Sequence, residues 1–230
     1  MTDIAVSDAW HATFPGGHVG VLLMEGIDNT APNATLDARK RALEERLRAQ
    51  FGDLSRQDLL ELDVLKAYRA YYKRFGQTYH VQLQLESVVH KAKSLPSVSP
   101  LVDASFVAEL DTLVLTANHD ADRLVWPLRI DVTGGGEVFE GMNGKVRTLR
   151  ANDMMMADEG GVVCTILYGQ DRRTRVTAAT TQALFVCYAP AGVGETRVRR
   201  QLLATQDNVR LFAPQAATRQ LEIYEAGVHR

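Results

Sequence analysis

The stretch LPSVSPLVDASFVAELDTLVLTANHDADRL, residues Leu95–Leu124, decides how the rest of the chain is arranged. Pro96 and Pro100 fix their own φ angles and bias Leu95 and Ser99 away from helical geometry. An apolar run follows (Leu101, Val102, Ala104, Phe106, Val107, Leu110), and then the polar cluster Asn118-His119-Asp120-Ala121-Asp122-Arg123. A buried run that delivers polar groups to one point is how a scaffold presents a site. On pattern alone the same residues also describe a helix entering a core, with surface charge after it.

Upstream, the Pro15-Gly16-Gly17 turn precedes an apolar run from His18 to Ile27 that reads as a strand. The glycines fit neither the dinucleotide nor the P-loop spacing, so they are turn residues. Asn29–Thr35 is a loop. From Leu36 to Phe51 the apolar residues Leu36, Leu43, Leu47 and Phe51 mark an amphipathic helix with a solvated charged face. A second helix is expected from Ser55, where Ser55 and Asp58 form a box-like cap, through Tyr68 and Tyr72 to a stop at Gly76. Its tyrosines, at helical spacing beside leucines, belong to a core. A third helix is expected over residues 84–94.

Downstream of Leu124 the texture changes to short β-prone runs separated by turn signals. These runs are Leu128–Val132, Val138–Phe139, Met154–Ala157, Val162–Tyr168 and Ala183–Tyr188, with Asn143-Gly144 as a hairpin turn. A last helix is expected from roughly Glu195 to Leu211. Its Arg197, Arg199 and Arg200 form a basic cluster, too short a block to specify phosphate binding. The order of elements argues for an α+β architecture, a helical N-terminal half packed on a mainly antiparallel or mixed sheet half. One domain over residues 1–230 is expected, with a subdomain seam near 125: helices over 28–124, sheet over 125–190 and a C-terminal helix over 193–211.

The chain has 230 residues, 46% hydrophobic and 23% charged, enough to bury a sizeable core. A formal net charge of −2 provides no global basic field, so any RNA contact must be local, and DNA is not an expected partner. The two cysteines, Cys164 and Cys187, lie in apolar runs without metal-ligand spacing and read as buried free thiols. No cofactor or metal is expected. No apolar run approaches the length of a membrane span and no signal-like segment opens the chain, so no membrane association and a cytoplasmic location are expected.

Several pieces together resemble one family. They are AYRAYYKRFG at Ala67–Gly76, the helix LESVVHKAK after it, LPSVSPLVDASFVAEL at Leu95–Leu110, ANHDADRL at Ala117–Leu124 and MADEGGVVCTILYGQDRRTRVTAATTQALFVCYA at Met156–Ala189. In this order and spacing they resemble the editing module (the B3/B4 module) of the phenylalanyl-tRNA synthetase beta chain and its stand-alone relatives, over roughly residues 10 to 205. The resemblance implies a pocket for an aromatic amino acid between the helical and sheet halves. It also implies hydrolysis of a misacylated ester at the tRNA 3′ end, making that end the implied partner. Such chemistry needs a positioned water and groups that hold the carbonyl, and need not use a protein nucleophile.

Carried over by that resemblance, the ligand pocket is expected to involve Ser105, Phe106, Ala117, Asp158, Glu159, Thr165, Tyr168, Gly169 and Cys187. Ser105 matches the family's hydroxyl residue. Phe106 stands where the family has Asn, Ala117 where bacterial synthetases have His, and Cys187 near the acidic residue that recognises a tyrosine hydroxyl. Thr165–Gly169 corresponds to a Gly-rich wall, narrowed here by Thr165 and Tyr168. Two functions follow. One is an aminoacyl-tRNA deacylase acting in trans, with His119 as general base beside Asp120. The other is a non-catalytic module binding an amino acid or small metabolite, favoured by the lost polar groups and the lack of a basic groove. A metal centre on His119, Asp120 and Asp122 is disfavoured, since adjacent residues rarely point at one ion.

Overall fold

The computed structural model describes residues 3–30 and 32–227; residues 1–2, 31 and 228–230 of the expected domain, and with them one position of the loop before the first long helix, lie outside the described residues. The chain runs β1 (Ile4–Val6), α1 (Asp8–Thr13), β2 (His18–Glu25), α2 (Ala34–Phe51), α3 (Arg56–Leu60), α4 (Asp63–Lys73), α5 (His80–Lys91) and α6 (Pro100–Thr112). It continues through β3 (Thr116–Asp120), β4 (Leu128–Val132), β5 (Val138–Glu140), β6 (Val146–Thr148), β7 (Met154–Asp158), β8 (Gly161–Thr165), β9 (Gly169–Gln170), β10 (Gln182–Ala189), α7 (Glu195–Phe212) and β11 (Ala217–Glu225). This is the expected α+β architecture, helices packed on sheet.

Local chemistry sets several helix starts. The Asn33 side chain accepts from Leu36 N to open α2, and Ser99 accepts from Val102 N to open α6, with Pro100 in its first turn. Ser55 and Asp58 form a full capping box at α3. The expected single helix from Ser55 to Gly76 is two, because the chain turns at Glu61 and Leu62 takes an extended conformation before α4. Each of the two helices then directs its own apolar residues inward. The third helix starts earlier than expected, at His80.

One sheet has four antiparallel strands in the order β11-β2-β10-β3, and the other has five in the order β1-β4-β7-β8-β9, with β1 parallel to β4. A separate hairpin joins β5 to β6, turning through Gly144 at φ 74°. Strands β2 and β10 are buried almost throughout, so they read as continuous apolar runs rather than alternating ones. Gly20 on β2 faces α7 so closely that a Cβ there would lie 2.5 Å from Val198 Cγ1.

Alternation along β10 divides its side chains between the two faces of the four-stranded sheet. Cys187 pairs with Gly20 and Thr116, which places it on the α7 side, while Tyr188 faces the other way. The tyrosines of α4 fasten both sheets to one helix. Tyr68 Oη donates to Tyr188 O at 2.6 Å, Tyr72 Oη to Ile166 O at 2.7 Å, and Tyr71 Oη to Asp153 Oδ1 at 2.6 Å. As the sequence indicated, these tyrosines are core. The buried apolar residues of the helices and of both large sheets form one contiguous cluster.

The helical stretch ends at Thr112 rather than near 124, and β3 already belongs to the four-stranded sheet. The strand expected over Val162–Tyr168 stops at Thr165, where Tyr168 N turns back to Thr165 Oγ1 at 3.0 Å. No helix among the described residues is long and apolar enough to cross a membrane.

Candidate functional site

The residues singled out from the sequence fall into two groups, one where β3 meets α6 and β9 and one around the outer end of β7. Asn118 and Asp120 share the sheet face of Cys187, whereas Ala117 and His119 lie on the opposite face.

The first group gathers where β3, β9 and α6 meet. Asn118 Nδ2 donates to Ser105 Oγ at 2.7 Å, and Ser105 Oγ donates to Val102 O at 3.0 Å. The Ser105 hydroxyl is thus engaged as both donor and acceptor. The Asn118 backbone N–H donates to Gln170 Oε1 at 3.0 Å, linking β3 to β9 and to Gly169 beside it. Asn118 and Gln170 carry this junction, and the sequence reading did not select either; the signal available was their place next to Ala117 and Gly169. Phe106 is partly buried at the edge of the core, and Tyr168 is half-buried, with the Arg147 guanidinium 5.9 Å from its ring centre. Cys187 is fully buried beside Thr116, and desolvation pushes its thiol up to about 12, so it is not a nucleophile at neutral pH.

The second group surrounds the outer end of β7. His119 is completely buried between the sheets. Thr174 Oγ1 donates to Asp171 Oδ1, so the 2.7 Å bond from Thr174 Oγ1 to His119 Nδ1 places the imidazole proton on Nδ1. Nε2 is left buried without a partner among the described residues. Desolvation, partly offset by Asp158, lowers the His119 pKa to about 4, and the ring is neutral at physiological pH. Asp120 is equally committed: its carboxylate accepts from Thr180 Oγ1 at 2.7 Å and from Asp122 N at 3.2 Å. Asp158 accepts two bonds from Arg173, at 2.8 and 2.9 Å, together with Val125 N and Gly160 N. Glu159 is exposed. His119, Asp120 and Asp158 therefore hold the loops together and are not free to meet a ligand in this structure, while the Glu159 side chain points to solvent. No cluster of three or more His, Cys, Asp or Glu able to hold a metal occurs among the described residues.

Beside the first group lies a groove of about 600 Å³. The first turns of α2 and α6 both border it, through Asn33, Leu36 and Asp37 on one side and Ser99, Pro100, Val102 and Asp103 on the other. Gln170 and Met142, which touch each other at 3.2 Å, close its far end. Its walls are largely apolar, and no Lys or Arg lines it. Lys40 lies buried behind the wall, where Nζ bonds Asp103 Oδ2 at 2.8 Å, Ser97 Oγ at 2.6 Å and Pro96 O at 3.1 Å. Asp103 is thereby neutralised, which leaves Asp37, whose side chain is 40% exposed, as the acid available to a ligand. Convergent helix N-termini favour negative charge on a ligand, and a nearby carboxylate favours a positive one.

No curated protein matches the chain. A fragment of the phenylalanyl-tRNA synthetase beta subunit from Pyrococcus horikoshii is similar in structure, with 12% sequence identity and a TM-score of 0.49 over 96% of this chain. The chain spans about half of that fragment, 50% of its length. The profile of the B3/4 domain matches residues 67–213, from within α4 to the end of α7, and takes in the whole β3–β9–α6 junction. The chain belongs to the B3/4 domain family.

Proposed function

We propose that the chain acts as a single unit that takes the aminoacyl group of a misacylated tRNA into the groove between α2 and α6 and hydrolyses its ester in trans. The observation that carries this is the convergence of two helix N-termini on a half-apolar groove with one available carboxylate. The parts correspond to an aminoacyl ester: the apolar wall to its side chain, Asp37 to its ammonium group, and the helix N-termini to the negative charge that develops on the carbonyl oxygen. Water adds to the acyl carbon, the bond to the tRNA 3′ oxygen breaks, and the water's proton ends on that oxygen. With the Ser105 hydroxyl saturated and His119 sealed, positioning rather than a protein base drives the step.

A second function, a non-catalytic amino-acid binder built on the same groove, is favoured by one observation: the only histidine of the candidate set is enclosed and neutral. The two separate cleanly. Release of labelled amino acid from tyrosyl- or phenylalanyl-tRNA by purified protein supports hydrolysis. Thermal stabilisation by free amino acids with no release on any aminoacyl-tRNA supports the binder.

A further inference from the structure

A second concavity, of about 420 Å³, opens on the other side of the β5–β6 hairpin. It is lined by Val138, Phe139 and Glu140 of the hairpin, by the Gly160–Gly161 turn and by four arginines: Arg123, Arg172, Arg173 and Arg175. In sequence Arg123 stands far from the other three, so the basic surface exists only after folding. The Arg197, Arg199 and Arg200 cluster, by contrast, is committed: Arg197 donates to Thr112 O, Arg199 pairs with Glu195 and Arg200 with Asp111.

Two acids line this concavity, Asp171 and the half-exposed Glu140, which pairs with Arg172, while Asp158 and Asp120 are buried beside it. Asp158, Asp171 and Asp120 have side-chain exposures of 0%, 7% and 7%, while their partners Arg173 and Arg123 are 38% and 52% exposed. Buried carboxylates thus orient guanidinium groups whose outer faces meet solvent. Arg172 bonds Glu140 through one Nη at 2.7 Å and is otherwise uncommitted. Arg175 makes no side-chain hydrogen bond or ion pair among the described residues. Two glycines leave room for these heads. A Cβ on Gly144 would lie 3.1 Å from Arg172 Nη1, and one on Gly160 would lie 3.3 Å from Arg173 Cζ. Four guanidinium groups around a concavity, with the donors of Arg175 and most of those of Arg172 open and Arg173 largely engaged by Asp158 and Arg123 O, are suited to the tetrahedral oxygens of a phosphate.

We infer that this concavity binds phosphate, with Arg175 and Arg172 as the direct donors and Arg173 and Arg123 as the oriented charge behind them. The inference rests on these side chains and not on the groove chemistry above. The phosphate can come from an RNA backbone or from a small phosphate ester.

The test uses the full chain with two probes, uncharged tRNA by filter retention across a salt series and inorganic pyrophosphate by thermal shift, in wild type, Arg175→Ala and Arg172→Ala. Arg219→Ala, on the far edge strand β11, serves as the control. The expected result is binding of at least one probe by wild type, weakened about tenfold by each of the first two substitutions and unchanged by the control. In the tRNA arm, each substitution should also lower the salt slope by roughly one. Retention of tRNA without a pyrophosphate effect identifies the backbone as the source, and the reverse identifies a small ester. Absence of binding to both probes, or equal binding by wild type and Arg175→Ala, overturns the inference. Loss of deacylation alone, with phosphate binding intact, would count against the groove chemistry and leave this site standing.

Discussion

The Asn118 side-chain amide donates to the Ser105 hydroxyl at 2.7 Å, joining the edge strand β3 to the middle of α6. Both residues are buried, and Ser105 passes the chain on to Val102 O at 3.0 Å, one turn nearer the groove. Ser105 therefore acts by holding α6, and with it one wall of the groove, against the sheet.

Ser105→Ala should destabilise the protein by about 1–3 kcal/mol, because it leaves the buried Asn118 amide without its acceptor. Urea unfolding of the two proteins measures this directly. A change within ±0.5 kcal/mol would show that the bond contributes nothing to the fold.

The pH dependence of stability should have two opposed limbs. His119 has a folded pKa lowered to about 4, so folding favours its neutral form; its contribution is full above the unfolded value and is lost as pH falls from 6.5 through 4. Glu109 is the reverse. Burial raises its carboxyl to about 8, so its contribution is full below the unfolded value and fades as pH rises from 4.5 through 8. Each limb amounts to a few kcal/mol. His119→Gln should flatten the acid limb and Glu109→Gln the alkaline one, as read from denaturant midpoints between pH 4 and 8.5. Parallel curves for wild type and both variants would contradict this.

Gly20→Ala should cost about 1–3 kcal/mol by overpacking the contact between β2 and α7. The added methyl would meet Val198 Cγ1 at 2.5 Å and Leu202 Cδ1 at 3.1 Å, both on a helix anchored along its length. A companion Val198→Ala substitution should recover part of the loss, since it removes the opposing atoms. Failure of the pair to couple would mean that α7 shifts freely.

Asp37→Ala should weaken stabilisation by a free amino acid about tenfold while leaving the unliganded melting temperature within a few degrees, because its only ion pair among the described residues, to Lys40, is 3.6 Å long and the stronger Lys40–Asp103 bond remains. Isothermal titration with tyrosine and phenylalanine checks this. Unchanged affinity would remove Asp37 from the site.

Local signals in the sequence were sufficient for much of the fold. The Ser55–Asp58 box, the Asn143-Gly144 turn and the apolar periods of α2 and α7 each specify an element through neighbours a few residues away. The break at Leu62 was not legible, because the apolar stripe continues across it at helical spacing. Strand β11 carries charged residues at every third position (Arg219, Glu222, Glu225), which breaks the alternation of a strand, and is identified as a strand only by its pairing with β2. At the site, Ser105 was found through its motif, whereas its partner Asn118 was passed over for His119. Adjacent residues of a strand face opposite ways, and only the register of β3 against β10 assigns the faces. The arginine concavity was hidden for a different reason: its arginines come from two segments some fifty residues apart and its walls from two more, and the acids interleaved with Arg123 and the later arginines, Asp120 and Asp171, are buried in space.

The most direct measurement is single-turnover deacylation of tyrosyl- and phenylalanyl-tRNA by the wild-type protein and by His119→Gln. The account predicts release of amino acid faster than in buffer by both proteins, at rates within about twofold of each other, because the enclosed imidazole takes no part in the step. No acceleration on either substrate would contradict hydrolysis in the groove, and loss of activity in a folded His119→Gln would contradict a mechanism without the imidazole.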